Sequence, residues 1–107
     1  ESVILQLDVG WVAYAGKNPA EYVRRYPGRT VATHYKIRTP SNVKNLIPII
    51  GQDSIDWAGL LSANIEVGGT RWLVVEQEEY PGGMTPLQAV KASKAGLDGY
   101  LARHKAP

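Results

Sequence analysis

Three residues of this sequence carry the ingredients of a metal or acid–base site. Each closes a short strand-forming run: Asp8 after the mostly apolar Val3-Ile4-Leu5-Gln6-Leu7, His34 after Thr30-Val31-Ala32-Thr33, and Glu76 after the apolar Trp72-Leu73-Val74-Val75. Two carboxylates and a neutral imidazole suit Mn²⁺, Mg²⁺, Co²⁺ or Zn²⁺. Each residue also has a plain reading. Asp8 can accept backbone N–H groups in a turn, and His34 can be a hydrogen-bonded, partly buried histidine. Glu76 is harder to set aside, because a carboxylate beside a strand core is costly unless something pairs with it. Spread over three separate runs, the set has no diagnostic spacing. Its meaning depends on the elements that would bring the three together.

Those elements read as three repeats of strand followed by helix. A first strand over Ser2 to Leu7 runs into Asp8-Val9-Gly10, and Val12 to Lys17 is expected to be a loop or irregular turn. Asn18-Pro19-Ala20-Glu21 is a helix start, with Asn18 as cap and Pro19 in the first turn, and Pro27-Gly28 stops that helix. A second strand spans Arg29 to Tyr35. The connection from Lys36 to Asp53, roughly 18 residues with Pro40, Pro48 and Gly51, is longer than a compact domain usually spends on a loop and is a candidate lid or binding loop. Asp56 caps a helix over Trp57 to Val67, closed by Gly68-Gly69. The third strand, Arg71 to Glu76, holds a continuous apolar run, which suits a parallel strand covered on both faces. Thr85-Pro86-Leu87-Gln88 opens the last helix as a capping box, and Leu87, Val90, Leu97 and Leu101 form its expected apolar stripe. Gly96 and Gly99 are expected to weaken it locally. Alternating strands and helices imply a parallel α/β sheet, in which ligand sites gather at the carboxyl ends of the strands. Asp8, His34 and Glu76 stand at those ends.

Composition bounds the partners. The chain has 107 residues, 44% of them hydrophobic, so it is at most one domain and can bury a core. Twelve basic against ten acidic residues leave a net charge of +2, which argues against nucleic-acid or membrane binding through bulk charge. Without cysteine there are no disulfides, thiolate nucleophiles or thiolate-held metals, and a reducing, cytoplasmic setting fits. No apolar run approaches the roughly 20 residues that cross a bilayer. The chain opens on Glu1 rather than Met, as expected of a processed chain or one cut from something longer.

Several short segments occur in a telling order: Leu7-Asp8-Val9-Gly10-Trp11-Val12, His34-Tyr35-Lys36, Gly51 with Ile55-Asp56-Trp57, and Val75-Glu76-Gln77-Glu78-Glu79-Tyr80 with Pro86-Leu87. Together they resemble the sugar phosphate isomerase/epimerase family, the xylose-isomerase-like (β/α)₈ TIM barrels. The likeness runs along nearly the whole chain but covers only the C-terminal part of such a barrel, strands six to eight with their helices. A full barrel takes roughly 250 residues, so about five strand–helix units would lie upstream.

The resemblance implies that Asp8, His34 and Glu76 bind one divalent metal, and that a fourth ligand, a glutamate near the end of strand five, lies outside this sequence. In the family's epimerases the two glutamates work on opposite faces of the sugar. One takes a proton from the carbon beside the carbonyl and the other returns one, through a cis-enediolate. Glu76 would then be both ligand and general acid/base. Ile37 departs from the pattern, since relatives commonly carry Asp after the His-Tyr-Lys segment. Gly51-Gln52-Asp53 departs too, where relatives often show Gly-Glu-Gly.

Trp11, just past Asp8, could stack on a sugar face or plug the barrel mouth. Lys36, on the same side of its strand as His34, could bind a sugar hydroxyl or phosphate, or pair with a carboxylate such as Glu78. Trp57 is expected to pack helix against sheet, and Arg24, Arg25 and His104 to lie on the solvated surface. The leading reading is a segment of a metal-dependent sugar or sugar-phosphate isomerase or epimerase. The alternative is a non-catalytic α/β module of binding or assembly, whose exposed strand edges would need self-association or the rest of a barrel. A hydrolase on the same barrel fits poorly, because the chain lacks a basic stripe and has too few histidines.

Overall fold

Three short strand-forming runs set up a small parallel sheet, and well-capped helices return the chain between its strands. The computed structural model describes residues 3–38 and 47–105. The elements are β1 (Leu5–Asp8), α1 (Val9–Tyr14), α2 (Pro19–Arg25), β2 (Thr30–Tyr35), α3 (Trp57–Ala63), β3 (Trp72–Val75) and α4 (Pro86–Lys105). The sheet order is β1-β2-β3, and both pairings are parallel. This is the expected strand–helix alternation.

The caps are the ones the sequence advertises. Asn18 Oδ1 accepts from the Ala20 amide, and Asp56 Oδ1 accepts from the Gly59 amide at 3.0 Å. Thr85 and Gln88 close a reciprocal box at 3.2 and 2.9 Å. Gly28 and Gly69 stop their elements with φ of 75° and 66°, in the left-handed region open to glycine.

Four local expectations are corrected. Val12 is not in a loop: Val9–Tyr14 is helical, because the Asp8 side chain caps the turn directly at the end of β1 and accepts from the Trp11 amide at 3.1 Å. The helix read as Trp57 to Val67 is α-helical only to Ala63 and continues as a π-helical turn over Asn64–Gly68. The Trp72–Val75 run is covered on one face only, for Trp72 is 68% and Val74 43% exposed. In α4, Leu87 is 61% exposed while Ala89, Ser93 and Leu97 are buried. Leu97 and Leu101 of the expected stripe do face the core, but at the start of the helix the inward positions belong to the small Ala89 and Ser93 rather than to Leu87.

Gly96 shows why small residues are needed there. A β-carbon on it would stand 1.9 Å from the Ile50 carbonyl oxygen, so the glycine lets α4 lie against the segment after Pro48. The same segment is tied to α4 through side chains. Ser93 Oγ accepts from the Ile50 amide at 3.2 Å and donates to Gln77 Oε1 at 2.7 Å, while Gln77 Nε2 donates to the Pro48 and Glu79 carbonyls, both at 2.6 Å.

The helices cover the sheet face formed by Leu7, Tyr35, Leu73 and Val75. Val9, Val23, Tyr35, Ile37, Ile50, Trp57, Leu60, Ala63 and Leu97 make one core. Trp57 packs its ring 5.2 Å from that of Tyr35 and donates its indole N–H to the Asp53 carboxylate at 2.8 Å, the packing role expected of it. Burial pushes the Tyr35 phenol up to about 12, although the hydrogen bond from Asn64 pulls the other way. On the opposite face, side-chain alternation places Gln6 and Asp8, Ala32 and His34, and Trp72, Val74 and Glu76. That second face carries the chemistry.

Candidate metal centre

Register brings the three predicted ligands together. Asp8 pairs directly with His34 across β1 and β2, and His34 pairs with Val74 across β2 and β3. Glu76 stands two residues beyond Val74 on the same face, and its amide donates to the Tyr35 carbonyl at 3.1 Å, which carries the ladder one step past β3. One ligand atom from each of Asp8, His34 and Glu76 lies within 4.8 Å of the others. His34 Nδ1 is 3.3 Å from Glu76 Oε2 and 3.9 Å from Asp8 Oδ2.

Asp8 has two jobs with two oxygens. Oδ1 caps α1, while Oδ2 points into the cluster. The plain turn-capping role and the ligand role are therefore compatible, and the cap fixes the carboxylate's direction.

A cation already sits among these carboxylates. Lys36 Nζ is 3.0 Å from Asp8 Oδ2, 3.2 Å from Glu76 Oε2 and 3.1 Å from Glu78 Oε1. Its side chain is only 4% exposed. Burial alone would lower its pKa, but the surrounding carboxylates of Asp8, Glu78 and Glu76 outweigh that and hold the ammonium above its ordinary range. Gly10 lets the lysine stem in: a β-carbon there would come 2.9 Å from Lys36 Cγ and 3.0 Å from its carbonyl oxygen.

Glu76 Oε2 is buried and makes no well-angled hydrogen bond, despite the nearby ammonium and imidazole. An under-used buried carboxylate oxygen beside a second carboxylate and an imidazole nitrogen fits a hard divalent cation.

Around this cluster, Glu78 bridges Lys36 and Arg38, with Arg38 Nη1 3.0 Å from its second oxygen. Arg38 in turn lies 4.4 Å from the centroid of the Trp11 ring, and Lys36 Nζ lies 5.7 Å from it. Trp11 is 45% exposed at the rim, with the Arg38 guanidinium over its ring. Ile37, where the family resemblance leads one to expect Asp, is buried in the core. Arg24 reaches Glu66 at 3.6 Å on the surface. Residues 39–46, in the middle of the long connection after Lys36, lie outside the described residues, and the lid expected of that connection falls partly on them.

The sequence reading missed Gln6. Its Nε2 is 3.0 Å from His34 Nε2. The signal was available, since Gln6 is two positions before Asp8 and so on the same face of β1.

No family model matches the chain. An inosose dehydratase of Clostridium botulinum (strain Eklund 17B / Type B) is 30% identical over 101 residues, covering 80% of this chain and 34% of that protein. An inosose dehydratase of Geobacillus kaustophilus is 26% identical over 112 residues, covering 90% of this chain and 36% of that one. The chain thus spans about a third of the length of the relatives it matches. Among solved structures, a xylose isomerase domain protein from Alicyclobacillus acidocaldarius superposes with a TM-score of 0.67 at 17% identity, covering 97% of this chain and 39% of that one. The chain is a xylose-isomerase-like α/β segment, built as part of that barrel fold.

Proposed function

We propose that this chain is one partial TIM-barrel domain, the three C-terminal strand–helix units of a divalent-metal-dependent enzyme that acts on a sugar, sugar phosphate or related polyol ketone. The observation that carries the proposal is the convergence of Asp8, His34 and Glu76 within 4.8 Å at the ends of three adjacent parallel strands. Asp8, His34 and Glu76 hold the cation, and Glu76 moves the proton on the carbon beside the substrate's carbonyl. A cation so held supplies Lewis-acid polarisation of the substrate oxygens.

The chain's own residues divide the remaining work. Lys36 balances the charge of Asp8, Glu76 and Glu78 and offers its ammonium to a substrate oxygen. Trp11, braced by Arg38, gives an apolar wall for a ring. Removal of a proton beside a carbonyl to form an enediolate is the shared first step of isomerisation and epimerisation. Loss of water from a hydroxy ketone opens with the same proton removal, and the similarity to inosose dehydratases supports a polyol ketone as the substrate class.

A second reading has one observation in its favour. The open sheet face bearing Trp72 and Val74 suits a module that works by association rather than catalysis.

Metal content separates the two. Wild-type chain loaded with Mn²⁺ or Zn²⁺ and desalted is expected to retain about one equivalent, and Glu76→Gln to retain far less. Wild-type protein that retains no metal would overturn the catalytic reading.

A further inference from the structure

The contact between Gln6 and His34 is informative because both atoms are nitrogens. Gln6 Nε2 lies 3.0 Å from His34 Nε2. An amide nitrogen only donates, so the neutral tautomer of His34 that fits this contact is the one with its proton on Nδ1 and its Nε2 lone pair towards Gln6. That proton then lies on the side of Glu76 Oε2, at 3.3 Å, and Asp8 Oδ2, at 3.9 Å, where the negative charge of two carboxylates favours it although neither closes a well-angled hydrogen bond. The arrangement is self-consistent with no cation bound.

It is inconsistent with a cation on Nδ1. An Nδ1 lone pair given to a metal puts the ring proton on Nε2, and that N–H needs an acceptor. The Gln6 amide can supply one by turning through half a revolution, which exchanges Nε2 for Oε1 in the same place. Lys and Arg cannot do this, since they only donate. A carboxylate cannot either, since it only accepts. A glutamine serves both states of the ring without moving its backbone. Gln6 is well placed for it, because the register shift between Leu5 and Gln6 in the β1–β2 pairing lets Gln6 face Ala32, one turn of the pleat below His34.

We infer that Gln6 is a positioning residue that sets which ring nitrogen of His34 bears the proton, and that its amide turns over when a divalent cation takes Nδ1. This rests on the metal-site reading above and adds a residue to it.

Nitrogen NMR of the two histidines, with His104 assigned by substitution, tests this above the ordinary histidine pKa. Metal-free wild-type chain should show His34 protonated on Nδ1, and Zn²⁺ should move the proton to Nε2. Gln6→Leu should give mixed tautomers and a Zn²⁺ affinity lower by about 10- to 100-fold. Gln6→Glu, nearly the same shape but accept-only, should hold the Nε2–H form before any metal is added and recover the affinity. The inference is overturned by a metal-free wild-type His34 already protonated on Nε2. It is also overturned if Gln6→Leu leaves the tautomer ratio unchanged and binding within about twofold. If Gln6→Leu does not fold, the tautomer in Gln6→Glu decides alone. A wild-type chain that takes up no Zn²⁺ defeats the metal-site reading, while the metal-free spectra still decide the role of Gln6.

Discussion

At the scale of single residues, the decisive one is Lys36. Its ammonium is the counter-charge for three carboxylates whose side chains remain a quarter to two-fifths exposed, so water shares in stabilising them. Replacing it by Met keeps the stem beside Gly10 and deletes the charge. The metal-free protein should lose about 1–3 kcal/mol in urea unfolding, less than for a fully buried pair because of that solvent access. The same variant should bind Mg²⁺ or Mn²⁺ more tightly than wild type, since the competing cation is gone, and calorimetric titration reads this directly. A Lys36→Met chain as stable as wild type without metal would mean the three contacts contribute nothing. Residue-scale chemistry was largely legible from the sequence. Asp8, His34 and Glu76 stand out because each ends a strand-forming run, and Lys36 follows His34 by the strand's period of two. Gln6 has the same periodicity, but its tie to His34 depends on a slip in strand register that no local pattern records.

At the scale of elements, capping chemistry was readable and coverage was not. Asn18, Asp56 and Thr85 are strong local signals, and each caps as its type and neighbours dictate. The first helix escaped notice because Val9, Trp11 and Val12 are indifferent helix formers and no loop separates them from β1. Their helix follows from the Asp8 cap and the buried Val9. In α4 the glycines tell opposite stories. Gly96→Ala forces a methyl into the Ile50 carbonyl and should cost at least about 2 kcal/mol. Gly99→Ala meets nothing nearer than the Arg103 guanidinium at 3.7 Å and should stabilise by about 0.5–1 kcal/mol. Paired thermal melts, with shifts of opposite sign, would check both at once. Equal shifts would show that helix propensity alone governs α4.

At the scale of the whole molecule, the open sheet face is the main fact. Trp72 and Val74 stand exposed beside the cluster, on the side where a barrel's interior would be. No helix in the described residues is long and apolar enough to cross a membrane. An apolar strip on an open sheet should draw copies of this chain together as concentration rises. Trp72→Glu should then lower the sedimentation-derived mass towards that of one chain, while Leu87→Glu, exposed far along the chain on α4, should not. Equal behaviour of the two variants would locate the association elsewhere. The run Trp72-Leu73-Val74-Val75 is as apolar as a strand buried on both sides. Sequence shows that such a strand can be covered twice, and only the assembled chain shows what covers it.

The amide of Gln77 has a consequence for how disturbance spreads. It is the next residue after a candidate ligand, and its two ends hold the Pro48 carbonyl and the Ser93 hydroxyl. Glu76 therefore inherits its position from the outer helix as much as from its own strand. Noise introduced at Ser93, buried under α4, has a short mechanical route to the front, so the inward side of the outer helix is part of the instrument's tuning.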